Sequence, residues 1–334
     1  MLSTRITKMK NKQDVHGVLN LYYRHSQHVD AIHLANIYGT LAQSVRGPRV
    51  TKLQNDERFK GLMESTIDKL QTTPEWFDVR GIAAMTHSLG KLKIFDERFF
   101  NEIGRLRKRI AEEGNTQELS NIVWACATVG CKSVELLEAV AGEYERIAKT
   151  GRVQELSNIT WAFAKAGHRA DALFGAVAGQ HGRIVASGNV QAVSNICWAF
   201  ATAGHKADSL FEAVAGQHGL ITGSGNVQAM SNTSWAFATV GHKADALFGA
   251  VAAQHERIVE TGKVQAMSNI CWAFATAGHR ADALFEAVAG QHGLIVGTGN
   301  VQDLSEISWA FAKAGHKADA FFGTDRATTC DAKG

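Results

Sequence analysis

Six tryptophans stand at 124, 161, 198, 235, 272 and 309, each 37 residues beyond the last. The text around them recurs almost unchanged. One copy, 188–206, reads Gly-Asn-Val-Gln-Ala-Val-Ser-Asn-Ile-Cys-Trp-Ala-Phe-Ala-Thr-Ala-Gly-His-Lys. A register that never slips at a period of roughly 20–50 residues marks a stacked array of small units. Only Pro48 and Pro74 interrupt the chain of 334 residues, while 32 glycines supply places for helices to end.

Upstream the pattern continues in degraded form. Ala84 to Gly90 aligns with Trp124 to Gly130 at a spacing of 40, and Asp56-Glu57-Arg58-Phe59 returns as Asp96-Glu97-Arg98-Phe99. The expected organisation is a basic segment 1–13, degenerate repeats 14–114, six 37-residue repeats over 115–323 with the last incomplete, and a flexible tail 324–334. Terminal units of an array are expected to be atypical, because one of their faces meets water.

Each unit reads as two helices. In the 189–225 copy, Asn189 is an N-cap for a first helix over 190–203. On a wheel of 100° per residue, Val193, Ile196, Phe200 and Ala203 share an arc, with Val190 and Cys197 at its edge. Gly204 suits a left-handed C-terminal cap. Asp208 is positioned to cap a second helix with Leu210, Phe211, Val214 and Leu220 inside, which Gly216 and Gly219 weaken and bend. A single unit buries too little to offset the entropy of ordering it, so neighbours must stack. The fold expected is all-α: an α-solenoid, a right-handed superhelix of two-helix repeats with a 37-residue period and a long concave surface.

The face of the first helix turned away from Val193 and Phe200 carries Gln191, Asn195, Trp198 and Thr202. In a stack these become ladders. Gln117, Gln154, Gln191, Gln228, Gln265 and Gln302 form one, and Asn121, Asn158, Asn195, Asn232, Asn269 and then Glu306 form the next. Amides hydrogen-bond base edges and indoles stack on bases, so one polar set per unit suits a single strand read unit by unit. The same groups also suit a structural role, with tryptophans packing between first helices and amides bonding between units. A basic ladder, Lys132, Arg169, Lys206, Lys243, Arg280 and Lys317, follows each glycine cap by two residues. It is placed to track phosphates, or simply to favour a helix C-terminus.

Charge limits the partners. The whole chain carries +3, from 35 basic and 32 acidic residues. Residues 115–323 hold 14 basic and 17 acidic side chains, and residues 1–114 hold 19 and 13. Affinity for a polyanion must therefore come from local arrangement and from the N-terminal part. Arg5, Lys8, Lys10 and Lys12 with no acid before Asp14 fit the remnant of an organelle transit peptide, although a short one without clear amphipathicity.

Enzymatic chemistry finds little support. Five cysteines form no CxxC pair, which argues against a disulfide framework or a cysteine zinc site. Histidine recurs at 168, 205, 242, 279 and 316, and again at 181, 218, 255 and 292, but the spacing fits no closed metal site. Helix-end capping and packing account for these residues better. Gly262-Lys263 lacks the glycine spacing of a P-loop, no G-x-S-x-G element appears, and serines at 120, 157, 194, 231, 268 and 305 recur once per unit like scaffold residues. The expectation is no enzyme, no metal and no cofactor.

Leu-Ser-Asn-Ile-Thr-Trp-Ala-Phe-Ala-Lys-Ala-Gly at 156–167 resembles the core of octotricopeptide repeats, and Ile32 to Ala42 is similar to the leucine-rich region of FAST-kinase-like proteins. The resemblance covers about residues 14–323. It implies a mitochondrial or chloroplast RNA-binding factor that acts in transcript stability, processing or translation, with bases meeting the first helix of each unit. The chain departs from that pattern in its shorter, more uniform unit, its missing proline-rich lead and its missing RAP domain, and its last unit breaks off near Phe322, as in a fragment.

The functional expectation is single-stranded RNA held along the concave face by Gln154, Asn158, Gln191, Asn195, Trp198, Gln228, Asn232, Gln265 and Asn269, with Arg169, Lys206, Lys243 and Arg280 on phosphates. Other RNA-processing proteins are further partners, with no membrane and no small-molecule substrate. The site is a mitochondrion or chloroplast, with the cytoplasm as the alternative. The rival reading is a protein-interaction scaffold using the same face. A third is a purely structural array.

Overall fold

The computed structural model describes residues 2–316 and is an α-solenoid: 24 α-helices, two short 3-10 turns and, among the described residues, no strand. The molecule forms two compact units, Met1–Gln180 and His181–Gly334. In each, the first helices of successive repeats lie side by side. In the N-terminal unit these are α1 (Ala31–Ser44), α2 (Val79–Leu92), α3 (Thr116–Val129) and α4 (Val153–Ala166). In the C-terminal unit they are α5 (Val190–Thr202), α6 (Val227–Val240), α7 (Val264–Ala277) and α8 (Val301–Ala314).

Capping sets their ends. Asn115, Asn189, Asn226 and Asn300 each accept a hydrogen bond from the backbone N–H three residues on, at 2.8–3.0 Å. At the other end Gly130, Gly167, Gly204, Gly241, Gly278 and Gly315 all have φ between 65° and 78°, which a side chain would strain. The residue after each glycine donates back to the helix, as His205 N does to Phe200 O at 2.9 Å. That is a Schellman closure, and it turns the chain toward the second helix.

The core follows the wheel. Val193, Ile196, Cys197 and Phe200 are buried, and so are Leu210, Phe211 and Val214 of the second helix. Across repeats, Phe211 meets Phe237, Phe248 meets Phe274 and Phe285 meets Phe311, each edge-on with centroids 5.0 Å apart. First helices approach closely where their contact residues are small. A Cβ on Gly90 of α2 would lie 2.8 Å from the Ala125 backbone of α3.

The second arm of each hairpin is divided. Asp208–Ala215 and His218–Ser224 are separate helices, joined at Gly216-Gln217. Glycine does not force this break, because Ala253 ends the equivalent helix Asp245–Ala252 in the same way. The new phase turns Ile221 inward and leaves Leu220 46% exposed, so Leu220 is not a core residue. Asp208 is likewise not the N-cap. Ala207 occupies that place, and Asp208 sits in the first turn, where its charge still favours the helix dipole.

The third helices carry an arginine device. Arg109 donates to Pro74 O at 2.9 Å and Phe77 O at 2.8 Å, and Arg146 donates to Gly114 O at 2.6 Å and to Ala111 O. Arg257 reaches Thr222 O in the same manner. Each guanidinium ties its repeat to carbonyls at the end of the preceding one. Leu220 and Leu294 stand where the arginine would be.

The basic segment expected at the N-terminus forms a helix, Leu2–Lys12, which packs on α1 and buries Ile6. Among the described residues no helix is long and apolar enough to cross a membrane. The last repeat's second arm, Lys317, Cys330 and the tail from 324 lie outside the described residues.

Candidate nucleic-acid interface

Gln191, Asn195 and Trp198 lie on one half-buried stripe of α5 because seven residues are nearly two turns. In α4, α5 and α6 the glutamine Nε2 donates to the asparagine Oδ1 one turn on: Gln154 to Asn158 at 3.0 Å, Gln191 to Asn195 at 3.0 Å and Gln228 to Asn232 at 2.8 Å. Asn232 Nδ2 also donates to Asn195 Oδ1 at 3.1 Å, which links two repeats. The amides are therefore both a ladder and a surface. Asn158, Asn195, Asn232 and Asn269 stay half-buried, with Gln154 and Gln265 exposed. The glutamine carbonyls and asparagine N–H groups not used in the ladder remain available to a ligand.

The indoles of the C-terminal unit form a continuous column. Trp198, Trp235, Trp272 and Trp309 succeed one another at centroid distances of 6.2–6.4 Å, tilted by 31–32°. A planar base between two rings would need about 7 Å, twice the optimal carbon contact of ~3.5 Å. The inner indoles therefore cannot sandwich a base. They offer edges, and no indole N–H is among the buried atoms without partners. Trp309, 45% exposed, presents a ring to solvent.

The basic ladder lies elsewhere. Lys206 follows the cap glycine, roughly 20 Å along the helix axis from Gln191. Cations and amides thus form two parallel tracks. Arg169 and Arg280 bond to Asp171 and Asp282 two residues on, while Lys206 and Lys243 are exposed and carry no ion pair among the described residues. The histidines after the caps pack and pair. His279 stacks on Phe248 at 5.4 Å and His316 on Phe285 at 4.6 Å, and His242, His279 and His316 approach Glu212, Asp245 and Asp282 of the preceding repeat at 3.4–3.6 Å.

A family model for the RNA-editing substrate-binding complex 6 protein, RESC6, matches residues 50–328, well over half of the chain. The chain belongs to the RESC6 family. Comparison with curated proteins gives no match. Membership carries the coarser part of the resemblance, an RNA-processing helical-repeat protein, and not specifically the octotricopeptide or FAST-kinase-like lineage.

Further inside the RESC6-family array, the serines at 120, 157, 194, 231 and 268 are buried between first helices, and among the described residues no group of three His, Cys, Asp or Glu could hold a metal ion. The structure also exposes stripe residues that sequence spacing hides. Asp78 caps α2 as Asn115 caps α3, and Lys93, with φ 55°, closes α2 as Gly130 closes α3. The register is therefore 37, not 40, and places Arg80, Ala84, His87 and Lys91 of α2 opposite Gln117, Asn121, Trp124 and Thr128. His87 contacts Trp124 with centroids 5.1 Å apart. Burial, and then the neighbouring Lys91 charge, hold the His87 imidazole below its usual pKa, so it is neutral at pH 7.

Proposed function

We propose that the chain is a non-enzymatic subunit that holds single-stranded RNA along the first-helix stripe, within an RNA-editing substrate-binding complex of a mitochondrion. One observation carries this reading. The glutamine, asparagine and indole groups recur every 37 residues and stay half exposed, a ribbon of donors, acceptors and aromatic edges suited to a polymer of bases. Family membership supports RNA as that polymer. The likeness to octotricopeptide and FAST-kinase-like repeats supports bases on first helices. Near-identical units present near-identical groups, so the expected preference is close to homopolymeric.

Replacing Asn195 and Asn232 by alanine removes two rungs and the link between them. The expected loss is about 1–3 kcal/mol of RNA affinity per base contact, measured by fluorescence anisotropy on homopolymers of each base. Unchanged affinity for all of them rejects the stripe. Protein partners belong to the same proposal, since the family's name is that of a complex. Leu220, Leu294 and Val296, exposed on third helices, offer those partners an apolar contact separate from the stripe and favour scaffolding as a second role.

A further inference from the structure

The stripe changes chemistry at α2. In α4, α5 and α6 the first stripe position is a glutamine locked to an asparagine one turn on. In α2 the corresponding pair is Arg80 and Ala84, so the guanidinium has no side chain to bond at that distance. Arg80 and Lys91 are both exposed, and among the described residues neither has a hydrogen-bond or ion-pair partner. The nearest acid in sequence, Asp78, is engaged with Gly81 N at 2.7 Å as the helix cap. Between the two cations lies His87, its ring tilted by 59° against Trp124. Ala84 is half-buried and short, so the surface between Arg80 and His87 lacks the side chain that fills this place in the other repeats.

From this arrangement we propose that Arg80 and Lys91 are a phosphate-binding anchor for single-stranded RNA, set beside His87 and Trp124 in the N-terminal unit. The inference rests on the RNA reading of the stripe and assigns its α2 section a different task. The amide rungs meet bases, whereas this section meets the backbone. Two cations on one helix face, with no acid to neutralise them, attract phosphodiesters wherever the sequence of the RNA varies. The excess of basic residues in 1–114 adds a favourable field around them. The imidazole is held neutral and adds no charge. It fixes the Trp124 ring at the edge of the anchor.

The test converts the anchor to the residue types of the neighbouring repeat. Arg80→Gln with Lys91→Thr copies Gln117 and Thr128, both compatible with the fold. Affinity of the full chain for single-stranded homopolymers is measured over a series of salt concentrations. The expected result is a salt slope shallower by about 1.4, because each lost phosphate contact removes ~0.7 for single strands, with base preference unchanged. Asn195→Ala with Asn232→Ala should do the reverse, altering base preference and leaving the slope. If the α2 variant keeps the parent slope and affinity while the asparagine variant weakens binding, the anchor is overturned and the stripe stands. If the unmodified chain binds none of these RNAs, both are overturned, and the exposed cations then belong to an acidic protein surface.

Discussion

The N-terminal unit varies where the C-terminal unit repeats itself. In the C-terminal unit α5, α6 and α7 share the same stripe, and the indoles rise in an even column. In the N-terminal unit α2 presents Arg80, His87 and Lys91, α3 presents Gln117, Asn121 and Trp124, and α4 adds Lys165. The difference in the arginine device runs alongside. Arg109 and Arg146 tie successive repeats of the N-terminal unit, whereas in the C-terminal unit Arg257 keeps the tie and leucine replaces it at 220 and 294. Buried positions nevertheless keep one pattern throughout, with Leu89, Phe163, Phe200 and Phe237 all within the core. The lesson is that stacking constrains the inner face of each first helix, and leaves the stripe and the outer helices free to diverge.

The largest test of that separation strikes the shared core. Phe237 is fully buried and meets Phe211 of the preceding repeat edge-on. Phe237→Ala should cost about 3–5 kcal/mol in urea unfolding. In an array this loss should also uncouple neighbouring repeats, so that the C-terminal unit unfolds before the N-terminal one. A single unchanged transition would show that the repeats do not depend on this contact.

The arginine device gives a smaller, reciprocal contrast. Arg146→Leu makes the N-terminal unit resemble position 220, and should cost about 1–3 kcal/mol, because the carbonyls of the buried residues Gly114 and Ala111 lose this donor. Leu220→Arg restores the device at a position where the C-terminal unit lacks it and should return at most about 1 kcal/mol. If both changes shift the urea midpoint by the same sign, the arginine is not acting as an inter-repeat tie.

The array itself was legible because its signals are local and repeated. Asparagine caps in four of the six copies, and left-handed glycines and a 3.6-residue apolar period in all of them, agree with one another, so Asn189, Gly204, Val193 and Phe200 all take the places their spacing implies. The division of the second arm was not legible. Gly216 and Gly219 indicate a weak helix, but the turn forms equally at Ala253, so residue type does not encode it. The geometric part of the interface divides the same way. Gln191 and Asn195 are one turn apart, and their bond follows from the wheel. The α2 section stayed hidden because Arg80, His87 and Lys91 share no identity with Gln117, Trp124 and Thr128. Only the 37-residue step between the caps Asp78 and Asn115 discloses it.

The smallest contrast in stability is the sharpest in chemistry, and it compares the cysteines of the two units. In α3 and its cap, Cys126 and Cys131 occupy the places that Phe200 and His205 hold in α5. Cys131 N donates to Cys126 O at 2.9 Å, and this closure brings the two side chains together. A hydrogen bond from Cys126, opposed by burial and aided by one from Ser133 N–H, lowers the Cys131 thiol to about 7, while Cys126 is pushed up. Burial, opposed by a backbone hydrogen bond, pushes Cys197 and Cys271 up to about 12. The reactive form is the thiolate. Above pH 7, of the four cysteines among the described residues, Cys131 alone should therefore be alkylated by iodoacetamide in the folded chain, and the rate should fall as pH drops through about 7, where the thiolate gains its proton. Cys126→Ser keeps a donor, but a different one, and should move that midpoint without abolishing labelling. Peptide mapping that finds Cys197 or Cys271 labelled as fast as Cys131 in the folded chain would mean that the uniform unit opens as readily as the varied one, against the packing of its indole column and phenylalanine core.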